Sequence, residues 1–287
     1  MIDNTTAVIG GIEHFNLTHT FDCGQCFRWA KNEDGSYSGI AYGKAVRMEL
    51  CEDCLTIYNT SLADVEDIWL NYLDLNRDYT QIKALYTNDV YVSKAMEFGY
   101  GIHILNQDVF ECIISFIISS QNQIPRIKKI VSKLCEMYGK PCTLGEDTHY
   151  AFPSLSDLKG ITQKDLEPLK AGYRVAYIVD AVNKLSSGEV DMTSLKDMPY
   201  PDAKKELMKI KGIGPKVADC ILLFSLGKSE AFPIDVWVQR TMRTLYLGEE
   251  ATNKEIELRA NELFGRHAGF AQQYLFYYAR ENGGFSK

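Results

Sequence analysis

The chain has 287 residues, 46% hydrophobic and 24% charged, with a formal net charge of −7 at pH 7. That length accommodates two domains of ordinary size, and the composition excludes a disordered or low-complexity chain. No apolar run reaches the roughly 18 residues that cross a bilayer, and the N-terminus, MIDNTTAVIGG, has neither a basic segment nor an apolar core. An intracellular protein with no membrane partner is expected.

From about 12 to 58 the text alternates apolar and polar residues between turn signals, as in FNLTHTFDCGQCFRWA, KNEDGSYSG, IAYGKAVRMEL and CLTIYNT. Aromatic and β-branched residues bounded in this way predict antiparallel strands. Near Ser61 the period changes, and SLADVEDIWLNYLDL reads as a helix behind a serine cap. Beyond about residue 100 nearly everything is helical. DVFECIISFIISS at 108–120 is apolar enough for a buried core helix. Helical patterns follow from Pro125 and over 174–185, 201–210, 215–226, 236–246, 254–263 and 268–280. The expected fold is α+β, with a small antiparallel sheet domain over 1–100 and a larger helical domain over 101–287.

The eight cysteines fit reduced thiols better than a disulfide framework. The pairs Cys23-x-x-Cys26 and Cys51-x-x-Cys54 have a spacing that admits a structural zinc. The extended, partly buried reading of FDCGQCFRWA argues against one. Residues 1–100 carry 15 Asp and Glu against 7 Lys and Arg, while the remainder carries 23 against 24. Two basic clusters lie in that remainder: Arg126, Lys128, Lys129 and Lys133, then Lys204, Lys205, Lys209, Lys211 and Lys216. They leave room for a basic groove on an acidic protein, or for two solvated faces.

KGIGPKVADC at 211–220 joins two of the predicted helices. Gly212 and Gly214 suit positive φ and leave backbone amides uncovered, and Pro215 fits the first position of a helix. Amides at a helix start bind anions, so with Lys209 and Lys211 beside them a nucleic-acid backbone is the fitting ligand. A plain turn between helices is the simpler reading of G-x-G alone. Lys216 adds chemistry: the helix dipole and burial both favour its neutral amine, which can attack a sugar C1′ and form a Schiff base. Such an enzyme would lose activity at acidic pH. In AFPIDVWVQR, Asp235 stands at a helix cap, where a carboxylate could also face Lys216 and stabilise a cationic sugar.

LMKIKGIGPKVADC followed by AFPIDVW resembles the helix-hairpin-helix DNA glycosylases, with the hairpin at about 201–226 and the Gly/Pro–Asp loop at about 227–236. FDCGQCFRW, ECIISFIISSQNQIPRI, AGYRVAYI and AGFAQQYLF resemble, in the same order, stretches of the 8-oxoguanine DNA glycosylase/AP lyases. The resemblance implies a bifunctional enzyme that excises 8-oxoguanine from duplex DNA. It makes Lys216 the nucleophile and Asp235 the catalytic carboxylate. Gly24 would offer its carbonyl to N7–H, Gln272 would read the Watson–Crick edge, and Phe276 and Cys220 would sandwich the base. Gln121, Arg126, Tyr173 and Arg174 would wedge the duplex and meet the opposite base.

The same resemblance places a structural cation on the carbonyls of Met208, Ile210 and Ile213, and requires no cofactor for the chemistry. It implies a monomer. No cysteine follows Cys220, so no four-cysteine iron–sulfur cluster of the endonuclease III kind is expected beyond the catalytic aspartate. Three positions depart from the family: Trp237 stands where histidine is common, Gln121 where asparagine is, and Cys26 where serine is. The alternatives are a glycosylase of the same fold for another damaged base, and a non-catalytic DNA-binding hairpin module.

Overall fold

The computed structural model describes residues 5–285. Five antiparallel strands, β1 (Thr6–Ile9), β2 (Trp29–Lys31), β3 (Tyr37–Ala41), β4 (Lys44–Cys51) and β5 (Cys54–Tyr58), form one sheet in the order β1-β5-β4-β3-β2. Alternation sets its inner face. Tyr37, Gly39 and Ala41 of β3 are buried, and the Trp29 indole lies so close over Gly39 that a Cβ there would meet it at 2.3 Å. Phe21 stacks on Trp29 with centroids 4.0 Å apart.

Two strand expectations give way. Leu17–Phe21 is a short helix, because Asn16 caps it by accepting from the His19 amide at 3.0 Å. Residues 22–27 are turn, and the strand starts only at Trp29. The helix behind Ser61 is present, with a capping box to Asp64, and passes through a π turn at Val65–Trp69.

After residue 78 the regular elements are helices apart from one hairpin, β6 (Pro141–Leu144) with β7 (Asp147–Tyr150), which the sequence reading did not contain. Val109–Ser119 is the buried core helix, with eight buried residues. The other helical expectations hold to within a few residues, at Ile124–Tyr138, Arg174–Ser187, Tyr200–Leu207, Pro215–Ser225, Val236–Leu245, Asn253–Phe264 and Ala268–Asn282.

Two hydrophobic cores result. One lies under the sheet, around Phe21, Trp29, Tyr37, Met48 and Trp69. The other fills the helical part and takes in Tyr79, Ile82 and Val92 from the end of the first hundred residues. Gln25 stitches the seam between them. It is fully buried, donates to the carbonyls of Thr20 and His103, and accepts from the Leu105 amide at 2.9 Å. The turn that carries Gly24 is therefore fixed at the joint of the two cores.

All eight cysteines are free thiols. Cys23 and Cys26 are buried, whereas Cys51 and Cys54 face each other at the exposed β4–β5 turn. Among the described residues no three or more His, Cys, Asp or Glu side chains stand together as a metal-holding group.

Candidate active site

The hairpin forms from local signals. Gly212 takes φ +86°, and a Cβ on it would strike the Tyr177 ring at 2.3 Å, so both conformation and packing require glycine. Gly214 departs from expectation. Its φ is −91° and ψ −178°, extended geometry open to any residue, because it serves as the N-cap before Pro215. A Cβ on Gly214 would meet nothing within 4 Å. Beneath the turn, Lys204 of the first hairpin helix reaches Asp219 of the second at 3.0 Å, and Glu257 at 2.7 Å. Lys204 is thus a structural cross-link between the hairpin helices and leaves the expected basic cluster.

On Pro215–Ser225, Lys216 and Cys220 lie one turn apart and face the same cavity, of about 50 Å³. Gly24, Asp235, Gln272 and Phe276 line it too, so four distant stretches of sequence converge. Phe116, Phe224, Pro233 and Gln273 complete the walls and were missed by the sequence reading. Phe224 stands eight residues after Lys216 and Phe276 four after Gln272, helical spacings that put each pair on one face.

Asp235 Oδ1 accepts from the amides of Trp237 at 3.0 Å and Val238 at 2.9 Å, which caps Val236–Leu245. Burial pushes the Asp235 carboxyl up from the ordinary range, against the pull of those amides and of the Lys216 and Arg280 cations. Burial also pushes the Cys220 thiol up to about 11, against the pull of Lys216, so Cys220 is a neutral thiol. The Lys216 ammonium nitrogen sits 5.6 Å from the centre of the Phe116 ring. Gln272 is 4% exposed; its Nε2 donates to the Pro233 carbonyl at 3.1 Å, while its Oε1 is buried with no partner.

Gly24, at φ +85°, is the turning point of its loop. The Asp22 carbonyl accepts from Arg280 Nη2, the Cys23 carbonyl from Gln273 Nε2 at 2.7 Å, and the Gln25 carbonyl from Gln107 Nε2 at 2.7 Å. The Gly24 carbonyl accepts no hydrogen bond among the described residues. A Cβ on Gly24 would meet Arg280 Nη1 at 3.0 Å and Phe276 at 3.2 Å. Gly24→Ala is therefore expected to cost about 1–2 kcal/mol from the left-handed backbone alone and to crowd the cavity. A urea titration of the variant measures the first effect, and an unchanged midpoint would contradict it.

A second surface lies beside the first. Ser120, Gln121, Tyr173, Tyr177 and the hairpin residues 212–214 line an open depression of about 600 Å³. Gln121 is exposed, with φ +48°, an uncommon conformation for a non-glycine residue. Arg174 is 5% exposed and neither projects outward nor forms a surface salt bridge. Its guanidinium donates to the Ser120, Gln121 and Ala171 carbonyls, and so fixes the backbone at Gln121. Tyr173 is half exposed, with its ring against Tyr177 at 5.5 Å. Arg126 is exposed and donates to the Lys170 carbonyl at 3.2 Å.

Lys209 pairs with Glu206 at 2.7 Å, and Lys211 stands exposed, 3.9 Å from Asp180. Among the described residues the Met208 and Ile213 carbonyls accept no hydrogen bond, while that of Ile210 accepts the Ile213 amide at 3.1 Å. Trp237 occupies the first turn after Asp235, with the Arg240 guanidinium 5.7 Å from its ring.

Residues 8–113 match the 8-oxoguanine DNA glycosylase N-terminal domain, and residues 114–266 match the HhH-GPD superfamily of base excision DNA repair proteins. The chain belongs to the 8-oxoguanine DNA glycosylases of the HhH-GPD superfamily. Its fold matches a Clostridium acetobutylicum 8-oxoguanine glycosylase/lyase, solved with double-stranded DNA containing cytosine opposite 8-oxoguanine. Identity is 43%, coverage 97% of this chain and 96% of that one, and the TM-score 0.95. MBOgg1, solved with a low-affinity DNA ligand, is 45% identical over the same shares, also with a TM-score of 0.95. The N-glycosylase/DNA lyase OGG1 of Arabidopsis thaliana is 30% identical over 92% of this chain and 78% of its own length. This glycosylase has the expected α+β architecture, and none of its described helices is long and apolar enough to cross a membrane.

Proposed function

We propose that this chain excises 8-oxoguanine from duplex DNA and then cleaves the resulting abasic site. The observation that carries the reading is the single cavity in which an amine, a carboxylate, an unpaired amide oxygen and an unpaired backbone carbonyl meet. 8-Oxoguanine carries a proton on N7 where guanine carries a lone pair. The free Gly24 carbonyl accepts from the first and is left facing a second acceptor in the other case, a mismatch of about 1–3 kcal/mol. Gln272 Oε1 lacks a donor, and the Watson–Crick edge of a guanine-type base supplies N–H groups. Phe276 and Cys220 take the two faces of the ring. The cavity as it stands is not much larger than the roughly 30 Å³ share of one water, so it must open for the base.

In the reaction, the Lys216 ammonium first gives up a proton, and the amine lone pair then bonds to C1′ as the C1′–N9 bond breaks and its electrons leave with the base, which takes up a proton. Ionised Asp235 stabilises the positive charge that develops on the sugar. The adduct nitrogen then loses a proton, and its lone pair expels O4′, which takes up a proton as the ring opens to a protonated imine; that imine loses a C2′ proton, and the 3′ phosphate departs by β-elimination. Neither step draws on a cofactor.

The DNA backbone lies on the hairpin, where Gly214 leaves open surface that neither its own dihedral angles nor its packing explains. Gly212, Lys209, Lys211 and the first amides of Pro215–Ser225 share that contact. A cation on the Met208, Ile210 and Ile213 carbonyls would add positive charge to it; two of those carbonyls have no other partner. Gln121 and Tyr173 enter the gap left by the extruded base, with Arg126 beside them and Arg174 bracing the Gln121 backbone.

Borohydride trapping on duplexes with 8-oxoguanine opposite each of the four bases tests the reading. A covalent complex is expected with the lesion and none with guanine at the same place. Tight binding without trapping on any duplex would remove the imine mechanism.

A further inference from the structure

The geometry of the Gly24 turn points to a residue for which the sequence reading had no role. Two of its three occupied carbonyls are held by one helix, Ala268–Asn282. Arg280 Nη2 takes Asp22, and Gln273 Nε2 takes Cys23. The same helix carries Gln272 and Phe276, and the Arg280 guanidinium lies 5.4 Å from the Phe276 ring centre and 5.5 Å from that of Tyr277. Arg280 Nη1 comes within 3.0 Å of the point where a Cβ would stand on Gly24. That nitrogen is buried and has no hydrogen-bond partner. Glu281 pairs with the outer side of the guanidinium at 2.8 Å, yet the inner nitrogen is left without an acceptor between the turn and the aromatic wall, an arrangement poorly explained by stability alone.

We propose that Arg280 is a specificity-determining positioning residue, which ties the Gly24 turn to the Phe276 wall so that carbonyl and stacking face keep one fixed register for the extruded base. This rests on the base reading given above. A carbonyl tells N7–H from an N7 lone pair only if it cannot move away from the lone pair. Gln107 and Gln273 fix the turn on either side of Gly24, and Arg280 joins that clamp with its guanidinium 5.4 Å from the centre of the Phe276 ring. Its fork shape matters, because one nitrogen must reach Asp22 while the plane stays against Phe276.

The test compares wild type, Arg280→Met and Arg280→Lys on two duplexes, one with 8-oxoguanine opposite cytosine and one with a preformed abasic site. The abasic substrate has no base to seat, so it reads Lys216 and Asp235 without the clamp. For Arg280→Met, single-turnover excision is expected to fall about tenfold, the scale of a small misplacement of a positioned group. The substitution also removes a cation that pulls the Asp235 carboxyl down, so abasic-site cleavage is compared at weakly alkaline pH, where Asp235 is ionised in both proteins; there it should stay close to wild type, and the ratio of 8-oxoguanine to guanine excision should narrow. Arg280→Lys keeps the charge and loses the fork, and should remain impaired on the lesion. Full rescue by lysine would reduce the effect to charge and overturn the proposal, as would equal losses on both substrates or no loss on either. A wild type that cleaves abasic DNA but never releases 8-oxoguanine overturns the base reading itself, and it is read in a separate lane from the variants.

Discussion

Lys216→Gln is expected to abolish borohydride trapping and to slow strand cleavage by at least about 10³-fold, equivalent to about 4 kcal/mol of lost transition-state stabilisation. The glutamine amide has no nucleophilic lone pair, and it is shorter than the lysine by about one methylene. Lys216 lines the cavity and makes no ion pair among the described residues, so folding should persist. Duplex binding should persist as well, because the hairpin amides, Lys209 and Lys211 are untouched. Binding measured by fluorescence anisotropy together with trapping separates the possibilities. If affinity fell with activity, Lys216 would be a phosphate contact and the imine mechanism would fail.

Asp235 offers a cleaner division, because its two roles respond to different substitutions. The carboxylate caps Val236–Leu245 through Oδ1 alone, and asparagine caps a helix about as well. Asp235→Asn should therefore change stability by less than about 1 kcal/mol, yet lower excision by about 10²–10³-fold through loss of the negative charge beside the sugar. Asp235→Ala should lose the cap as well, about 1 kcal/mol more.

The pH profile carries an independent signature. Burial raises the Asp235 carboxyl above its ordinary value, and the ionised form is the one the mechanism needs, so activity should be lost as pH falls through that raised value. The asparagine variant should lack that limb. A limb that survives in Asp235→Asn assigns it to another group, and an asparagine variant with full activity would leave Asp235 as a cap only.

What the sequence made legible was whatever is encoded over a few residues. Gly212, Pro215 and Asp235 are punctuation whose meaning is local, so the hairpin, the start of its second helix and the cap are found where expected. Other features depend on partners far along the chain. Arg174 reads as an exposed cation, but two of its three acceptors are backbone carbonyls 54 and 53 residues earlier, which no side-chain pattern discloses. Arg280 meets the Asp22 carbonyl 258 residues away. Phe116 and Phe224 look like ordinary core in an apolar helix, since an aromatic that walls a cavity and one that fills a core have the same periodicity. Lys204 counted as part of a basic face until Asp219 and Glu257 turned it inward. Gly214 showed the opposite error, because its glycine answers to open surface where positive φ was expected.

The joint between the two cores has a consequence for how such an enzyme can change. Lys216 and Asp235 both rest on helices of the helical core, whereas the Gly24 carbonyl hangs from a loop pinned at the seam with the sheet. The proposed nucleophile and the proposed base-reading carbonyl thus sit on different stretches of chain, coupled through helix Ala268–Asn282, whose Gln273 and Arg280 hold the Gly24 turn. Substitutions along the seam can retune which lesion is admitted while the sugar chemistry stays intact, and an altered preference need not begin with a damaged catalyst.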